Sequence, residues 1–469
     1  MSKIFLKRQA IVLVCLFLFF LLFVFYRRRP AGTPFLFQTI EIVPGDRVLI
    51  LAPHPDDEVL GCGGIIQEAK NKGVPFKIVF LTYGDNNQWS FLVYRKHPVV
   101  MPHAARDMGR VRRDEALTAG RVLGAEPEQL IFLGYPDFRT MGIWCSHWGL
   151  RPAEKSMLTE TRAVPYEDAF RPGAPYKGEE ILRDLKAVLR DFKPTKIFLS
   201  HPADHNGDHR ALYLFTRVAI WDLENEMRPA LYPYLVHFHR WPRPRGYHPD
   251  KEIVAPDVLK GDMAWQGIML SGKEEVVNLQ AIKKHRSQYV SSARYLLSFI
   301  RPNELFGDFP VVRLAGNAPR LPGVISSEHR DDPAYVPEEL FGEERVSFVG
   351  IEERSVSLEA GRLVIRVTLS RPLTKEVGIS VYVFGYRPGR PFQEMPKLHL
   401  ELGLLRHGVF DQDIPLARDS VQVERTAKKI TMRIPLGLLG DPQYVLTSAQ
   451  TSLGVLPLDW VSWRIVELP

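Results

Sequence analysis

One imidazole and three carboxylates, His54, Asp56, Asp57 and Glu58, fall within five residues. Charges of one sign crowded so closely repel unless a cation or a basic partner offsets them, and a divalent metal is the economical answer. The plainer alternative is that Asp56 or Asp57 caps a helix while its neighbours stay solvated. A second cluster repeats the chemistry: His201, Asp204, His205, Asp208 and His209 lie within nine residues, interleaved with Asn206 and Gly207. A lone histidine at a strand end is ordinarily just packed and hydrogen-bonded. Three histidines and two aspartates together are better explained as a metal-competent turn.

Both clusters follow short apolar runs and precede helical ones. Residues 49–52 read as a buried parallel strand and residues from Glu58 onward as a helix, so 53–57 form a strand-to-helix turn. Residues 196–200 are a strand of the same type, followed by the second cluster and then a helix over 210–223. In an open α/β sheet such turns lie at the carboxyl edge, where ligands bind. The intervening chain continues the pattern, with strands predicted at 76–81 and 130–134 and helices at 107–123 and 180–192, the order of a doubly wound, mostly parallel sheet. The first turn lacks G-x-G-x-x-G. Gly61, Gly63 and Gly64 come too late, inside the helix, where they permit close packing rather than cradle a pyrophosphate.

The run APHPDDEVLGCGG (52–64), then Gly84-Asp85, then Arg112-x-x-Glu115 with Ala119 and Leu123-Gly124, then DHNGDHRA (204–211) resembles the PIG-L (LmbE-like) de-N-acetylases. Lys284-His285-Arg286-Ser287-Gln288 is also similar to a family segment, so the resemblance spans about 46–304. It implies a Rossmann-like fold and a zinc enzyme that removes acetyl groups from N-acetylglucosamine units and related amino sugars. Carried over by motif, His54, Asp57 and His209 would hold Zn2+ with one position left open, and Asp56 would be the general base toward the water that attacks the acetyl carbonyl. Arg112, Asp137 and His285 fall at family positions and are taken with Asp85 as substrate-binding candidates; turn or cap roles remain open for Asp85 and Asp137.

The chain departs from the family at Asn206, where many members carry a histidine. Three readings are open: His205 swings in, Asp56 serves as both base and acid, or Asn206 donates an amide hydrogen bond to the oxyanion. Trp89, Tyr94, Trp144, His147 and Trp148 either stack on sugar faces or form a local core. Residues 232–242 read as a strand with His237 and His239 on one face, in structural or outer roles.

Length and composition set the frame around these motifs. With 469 residues, 45% hydrophobic and 25% charged, the chain has room for two or three domains. Six of its 61 basic side chains lie in the first 30 residues with no acid among them, leaving 55 against 54 acidic ones. The near-neutral body excludes nucleic acid as the expected partner. The six positives flank 17 apolar residues at 10–26, about 25 Å as a helix, which read as an uncleaved single-pass membrane anchor, its side of the membrane undecided. Three cysteines supply neither a disulfide framework nor a cysteine zinc site. Residues 309–338 are irregular and rich in proline, and beyond them period-two alternation sets in, as in Leu363, Ile365, Val367 and Leu369, or Ile430, Met432 and Ile434, which predicts an antiparallel β-sandwich.

The expected architecture is therefore an anchor (1–29), a linker (30–45), a Rossmann-like α/β deacetylase domain (46–308), a second linker (309–342) and a β-sandwich (343–469). The expected function is membrane-anchored, zinc-dependent removal of acetyl from an N-acetylated amino sugar, with possible glycan contact through the sandwich. The alternatives are a glycan-binding protein without turnover, suggested by Asn206 and the sandwich, and a non-haem Fe(II) enzyme, since two histidines and a carboxylate can also hold iron.

Overall fold

The computed structural model describes residues 37–86, 101–314, 323–326, 340, 342–403, 407–454 and 456–469. Contacts divide the chain into two units, Met1–Gln38 and Thr39–Pro469. The elements below belong to the second.

The apolar runs become the strands of one sheet: β1 (Val48–Ala52), β2 (Phe76–Thr82), β3 (Leu130–Tyr135), β4 (Lys196–Ser200), β5 (Ala230–Tyr234), β6 (Trp265–Met269) and β7 (Asn303–Gly307). Their spatial order is β6-β7-β5-β4-β1-β2-β3. From β5 through β3 the neighbours are parallel, while β7 runs antiparallel to both β5 and β6. Val48 of β1 is in register with Phe76 of β2 on one side and Lys196 of β4 on the other. The chain thus leaves β1 toward β2 and returns to its other flank at β4. That reversal opens a crevice beyond the carboxyl ends of β1 and β4, where both polar clusters lie.

Helices cover the sheet. They are α1 (Asp57–Asn71), α2 (Pro102–Leu123), α3 (Thr140–Ser146), α4 (Gly178–Phe192), α5 (Gly207–Asp222), α6 (Gly272–Ile282) and α7 (Arg286–Leu296). Helix α1 follows β1 and packs very closely against its surroundings. A Cβ on Gly61 would stand 2.4 Å from the Tyr234 ring, and one on Gly64 would stand 2.2 Å from Leu270.

Toward the C-terminus, two antiparallel sheets share an apolar core. One contains β8 (Ile351–Glu359), β9 (Arg362–Leu369) and, beyond it, Lys429–Pro435; the other is built on β10 (Val377–Tyr386), Lys397–Leu402 and Tyr444–Leu453. The alternating residues Leu363, Ile365, Val367, Ile430, Met432 and Ile434 of one sheet meet Ile379, Val381 and Val383 of the other in that core. This β-rich region abuts the α/β part through an aromatic cluster. Trp144 lies 5.1 Å from Phe215, 5.2 Å from Phe392 and 6.1 Å from Trp463, ring centre to ring centre. Arg210, fully buried on α5, donates to the carbonyls of Trp460 and Val461 at 3.0 and 3.4 Å.

The expected membrane-spanning helix is corrected here. Among the described residues no helix is long and apolar enough to cross a membrane. The longest of those above, α2, has 22 residues but carries Arg106, Asp107, Arg110, Arg113 and Asp114, whereas a span needs about 20 predominantly apolar ones. The reading of a single-pass membrane protein, with the membrane as partner, is withdrawn accordingly; residues 10–26 themselves lie outside the described residues.

Candidate active site

The turn after β1 is held in an unfavourable conformation. Asp56 has φ 125° and ψ −29°, a region costly for a side chain with a Cβ. Its surroundings hold it there: the Asp56 N–H donates to Glu58 Oε2 (2.8 Å), Arg112 donates to the Pro55 carbonyl (2.6 Å), and Thr82 donates to the Pro53 carbonyl through both N–H (3.0 Å) and Oγ1 (3.1 Å). Arg112 also lies 3.6 Å from the Asp56 carboxylate and donates to the Gly84 carbonyl at 2.9 Å. Gly84 is required there: its φ is +66°, and a Cβ would collide with the Arg112 guanidinium at 2.1 Å. His285 does not line the pocket. It is buried behind the turn, its Nε2 2.8 Å from Glu58 Oε1. Glu115 accepts from Ser287 N–H (2.8 Å) and Oγ (2.6 Å), so the Arg-x-x-Glu helix and the Lys-His-x-Ser-Gln segment, far apart in sequence, are joined directly.

From the two switch-point turns, His54, Asp57 and His209 converge. Asp57 Oδ2 lies 3.2 Å from His54 Nδ1 and 3.1 Å from His209 Nε2, and all three side chains are buried. Both ring nitrogens of His209 lack a hydrogen bond of good geometry, although each faces a carboxylate oxygen at 3.1 Å. Ligands about 2.0–2.1 Å from a tetrahedral ion stand roughly 3.3 Å apart, so this spacing and these orphaned nitrogens fit a metal. The outer nitrogens are buttressed too. His54 Nε2 is 3.1 Å from both Asp137 and Asp208, and His209 Nδ1 is 3.1 Å from Asp204. Carboxylates behind ligating histidines fix ring orientation and raise basicity. His54, Asp137 and Asp208 could also hold an ion by distance, but Asp208 is already committed to the N–H groups of Phe138 (2.6 Å) and Thr140 (3.0 Å) and to the Thr140 hydroxyl (2.5 Å).

The electrostatics ask for positive charge. Burial opposes the charged form of His209, but Asp204 and Asp57 outweigh it and raise the ring to about 9. His54 is likewise raised against burial by Asp137, Asp208 and Asp57, and Asp57 is held well below the carboxylate range by His209 and His54. Asp56 behaves differently. Burial pushes it up to about 7, with Arg112 pulling the other way.

Of the other candidates, Asn206 caps α5, its Oδ1 accepting the Asp208 N–H at 2.8 Å, and it lines the pocket. His205 is exposed and its ring packs 5.0 Å from Phe238, away from the pocket lining. Asp137 lines the pocket and accepts the Asn86 N–H at 2.9 Å. Asp85 is buried beside it, bonded to the Tyr166 hydroxyl, and is raised to about 7 by burial and by Asp137. Trp144 and Trp148 are buried core rather than a sugar platform, and His147 is paired with Glu154 at 2.7 Å. Trp89 and Tyr94 lie outside the described residues.

Several pocket residues were not expected. Phe138, with φ 60° and an exposed ring 6.2 Å from His54, lines the pocket, as do His237, Tyr295 and Leu296. Strand β5 ends at Tyr234, so His237 lies beyond it at the ligand-bearing edge rather than on a strand face. The position of His237 shortly after a strand was a signal available in the sequence; Tyr295, on a later helix, had none.

This is a doubly wound α/β protein with a metal-competent His-Asp-His cluster at its switch point. Residues 49–220 match the family described as PIG-L: GlcNAc-PI de-N-acetylase. Among curated proteins it is similar to 1D-myo-inositol 2-acetamido-2-deoxy-alpha-D-glucopyranoside deacetylase of Mycobacterium sp. (strain KMS), 26% identical over 192 residues, or 39% of this chain and 53% of the relative. The chain thus spans about half the length of the curated relatives it matches. Similar solved structures include N,N'-diacetylchitobiose deacetylase from Pyrococcus horikoshii (20% identity, TM-score 0.32, 52% of this chain and 70% of that one). Another is the 4-carboxy-2-hydroxymuconate hydratase of Pseudomonas putida (16% identity, TM-score 0.32, 58% and 99%).

Proposed function

We propose that the protein is a zinc-dependent de-N-acetylase acting on an N-acetylated amino sugar, with residues 46–308 as its deacetylase domain. The observation that carries the reading is the convergence of His54, Asp57 and His209 within 4.8 Å, with His54 lining a pocket whose wall also includes Asp56. Zinc held by those three residues would supply Lewis acidity, activating water and polarising the acetyl carbonyl.

The remaining chemistry falls to the chain. Asp56, fixed by the strained turn and faced by Arg112, takes a proton from the attacking water as its oxygen bonds to the acetyl carbon. The same carboxyl then delivers that proton to the sugar nitrogen as the C–N bond breaks, giving a free amine and acetic acid, which ionises to acetate in solution. Asn206 has committed Oδ1 to the helix cap, so its amide NH2 is the group left to donate toward the oxyanion that develops on the carbonyl. His205, turned outward onto Phe238, has no part in this scheme.

Acetate release from a panel of N-acetylglucosamine glycosides and oligomers, by the full chain with and without added zinc and beside Asp56→Asn, tests the reading. Zinc-dependent acetate that disappears in the variant is expected. A folded, zinc-loaded protein that releases none across the panel would overturn it.

A further inference from the structure

A histidine from another part of the chain, His237, lines the pocket beside Asn206. Asp204 Oδ2 accepts the N–H groups of Val236 (3.0 Å) and His237 (2.8 Å), and the same oxygen lies 3.1 Å from Nδ1 of His209. One carboxylate therefore ties the backbone of His237 to a metal-ligand candidate. The His237 ring is set edge-on to His209, with centres 4.8 Å apart at 75°, and stacks on Tyr295 at 5.8 Å and 17°. It lines the pocket together with Asn206 and Asp56.

The hydrogen bonds also assign the tautomer. The Tyr295 hydroxyl has one proton and donates it to the Val236 carbonyl at 2.9 Å. Its oxygen can then only accept from His237 Nδ1, 3.2 Å away, so Nδ1 carries the ring proton and Nε2 keeps its lone pair. Nε2 is the ring nitrogen left for the pocket.

We propose that His237 is a substrate-contacting residue whose Nε2 accepts a hydrogen bond from a donor of the N-acyl amino sugar, the amide N–H or a hydroxyl beside it. This rests on the deacetylase reading and adds to it a recognition group supplied by the loop after β5. Tyr295 is the positioning residue that holds the acceptor tautomer. A site built to receive a substrate donor discriminates strongly against analogues lacking it, because its own acceptor is left unpaired.

The test uses the full-length, zinc-loaded protein and its His237→Ala, His237→Gln and Tyr295→Phe variants. Bound zinc should match the wild type in all three variants, while KM for N-acetylglucosamine deacetylation rises about tenfold or more in His237→Ala. The glutamine variant, which keeps an acceptor, should recover part of the loss, and Tyr295→Phe should fall between. Histidine side-chain 15N spectra of the wild type should show the Nδ1–H tautomer at His237, with the Nε2 resonance moving on addition of N-acetylglucosamine. Kinetics within twofold of wild type in His237→Ala, an Nε2–H tautomer, or zinc lost from both His237 variants would each overturn the proposal. If the wild type releases no acetate, the deacetylase reading fails by itself; His237 is then decided by the spectra, and an unmoved Nε2 signal at saturating N-acetylglucosamine overturns its role.

Discussion

The Asp204 carboxylate lies 3.1 Å from Nδ1 of His209, with both side chains wholly buried. The same aspartate accepts backbone N–H groups from Asn206, Val236 and His237, so its position is set by two separate segments. Asp204→Asn keeps the size but removes the charge that orients the ring. Metal affinity should weaken about 10- to 100-fold, read by competition with a chelator of known affinity. An unchanged affinity would refute the buttressing role.

The proposed division of labour between ligands and base predicts two different failures. His54→Ala and His209→Ala should lose bound zinc. Asp56→Asn should retain it and lose activity by about 10²–10⁴-fold. Metal content and acetate release on the same samples separate the cases, and equal metal loss in all three would contradict the assignment.

Gly61 on α1 faces Tyr234, whose hydroxyl is anchored on the Leu51 carbonyl at 2.9 Å. The ring cannot retreat without breaking that bond. Gly61→Ala should therefore cost about 1–3 kcal/mol in urea unfolding. Gly437→Ala, with nothing within 4 Å of the added carbon, is the matched control and should show no comparable loss.

Lys397 introduces a pH dependence of stability. Burial lowers its amine from 10.5 to about 7, although its Nζ donates to the carbonyls of Phe392 (2.6 Å) and Met395 (2.8 Å). Between pH 7 and 10.5 the folded protein holds the neutral amine while the unfolded chain is still protonated. Unfolding then takes up a proton, and stability rises with pH by up to about 1.4 kcal/mol per unit from this group. Below pH 7 both states are charged and the contribution is flat. Denaturant unfolding across pH 7–9.5 should show Lys397→Met with a shallower slope than wild type; equal slopes would exclude this lysine as the source.

The strand-turn-helix units that carry His54, Asp57 and His209 were legible in the sequence because their determinants are local. A run of four or five apolar residues makes a buried strand, and crowded polar groups mark the turn that follows it. Helix ends were less so: α5 begins at Gly207, three residues before the expected start, because Asn206 is its cap rather than a loop residue. His285 matched a motif yet sits behind the Asp56 turn, since a motif records residue type and not the direction of a side chain.

What the sequence by itself determined was the chemistry available at the two turns and the α/β order that brings turns of this kind to one sheet edge. Only the tertiary structure decided which partners meet there. The sheet order puts β4 beside β1, so Asp137, Asp204 and Asp208 come to stand behind the two histidines. Helix α7 brings Tyr295 to His237 across 58 residues of chain. Trp144 and Trp148 become buried core because the β-rich region covers them. Local runs follow from backbone sterics and hydrophobic period, whereas these neighbours exist only once separate elements have packed.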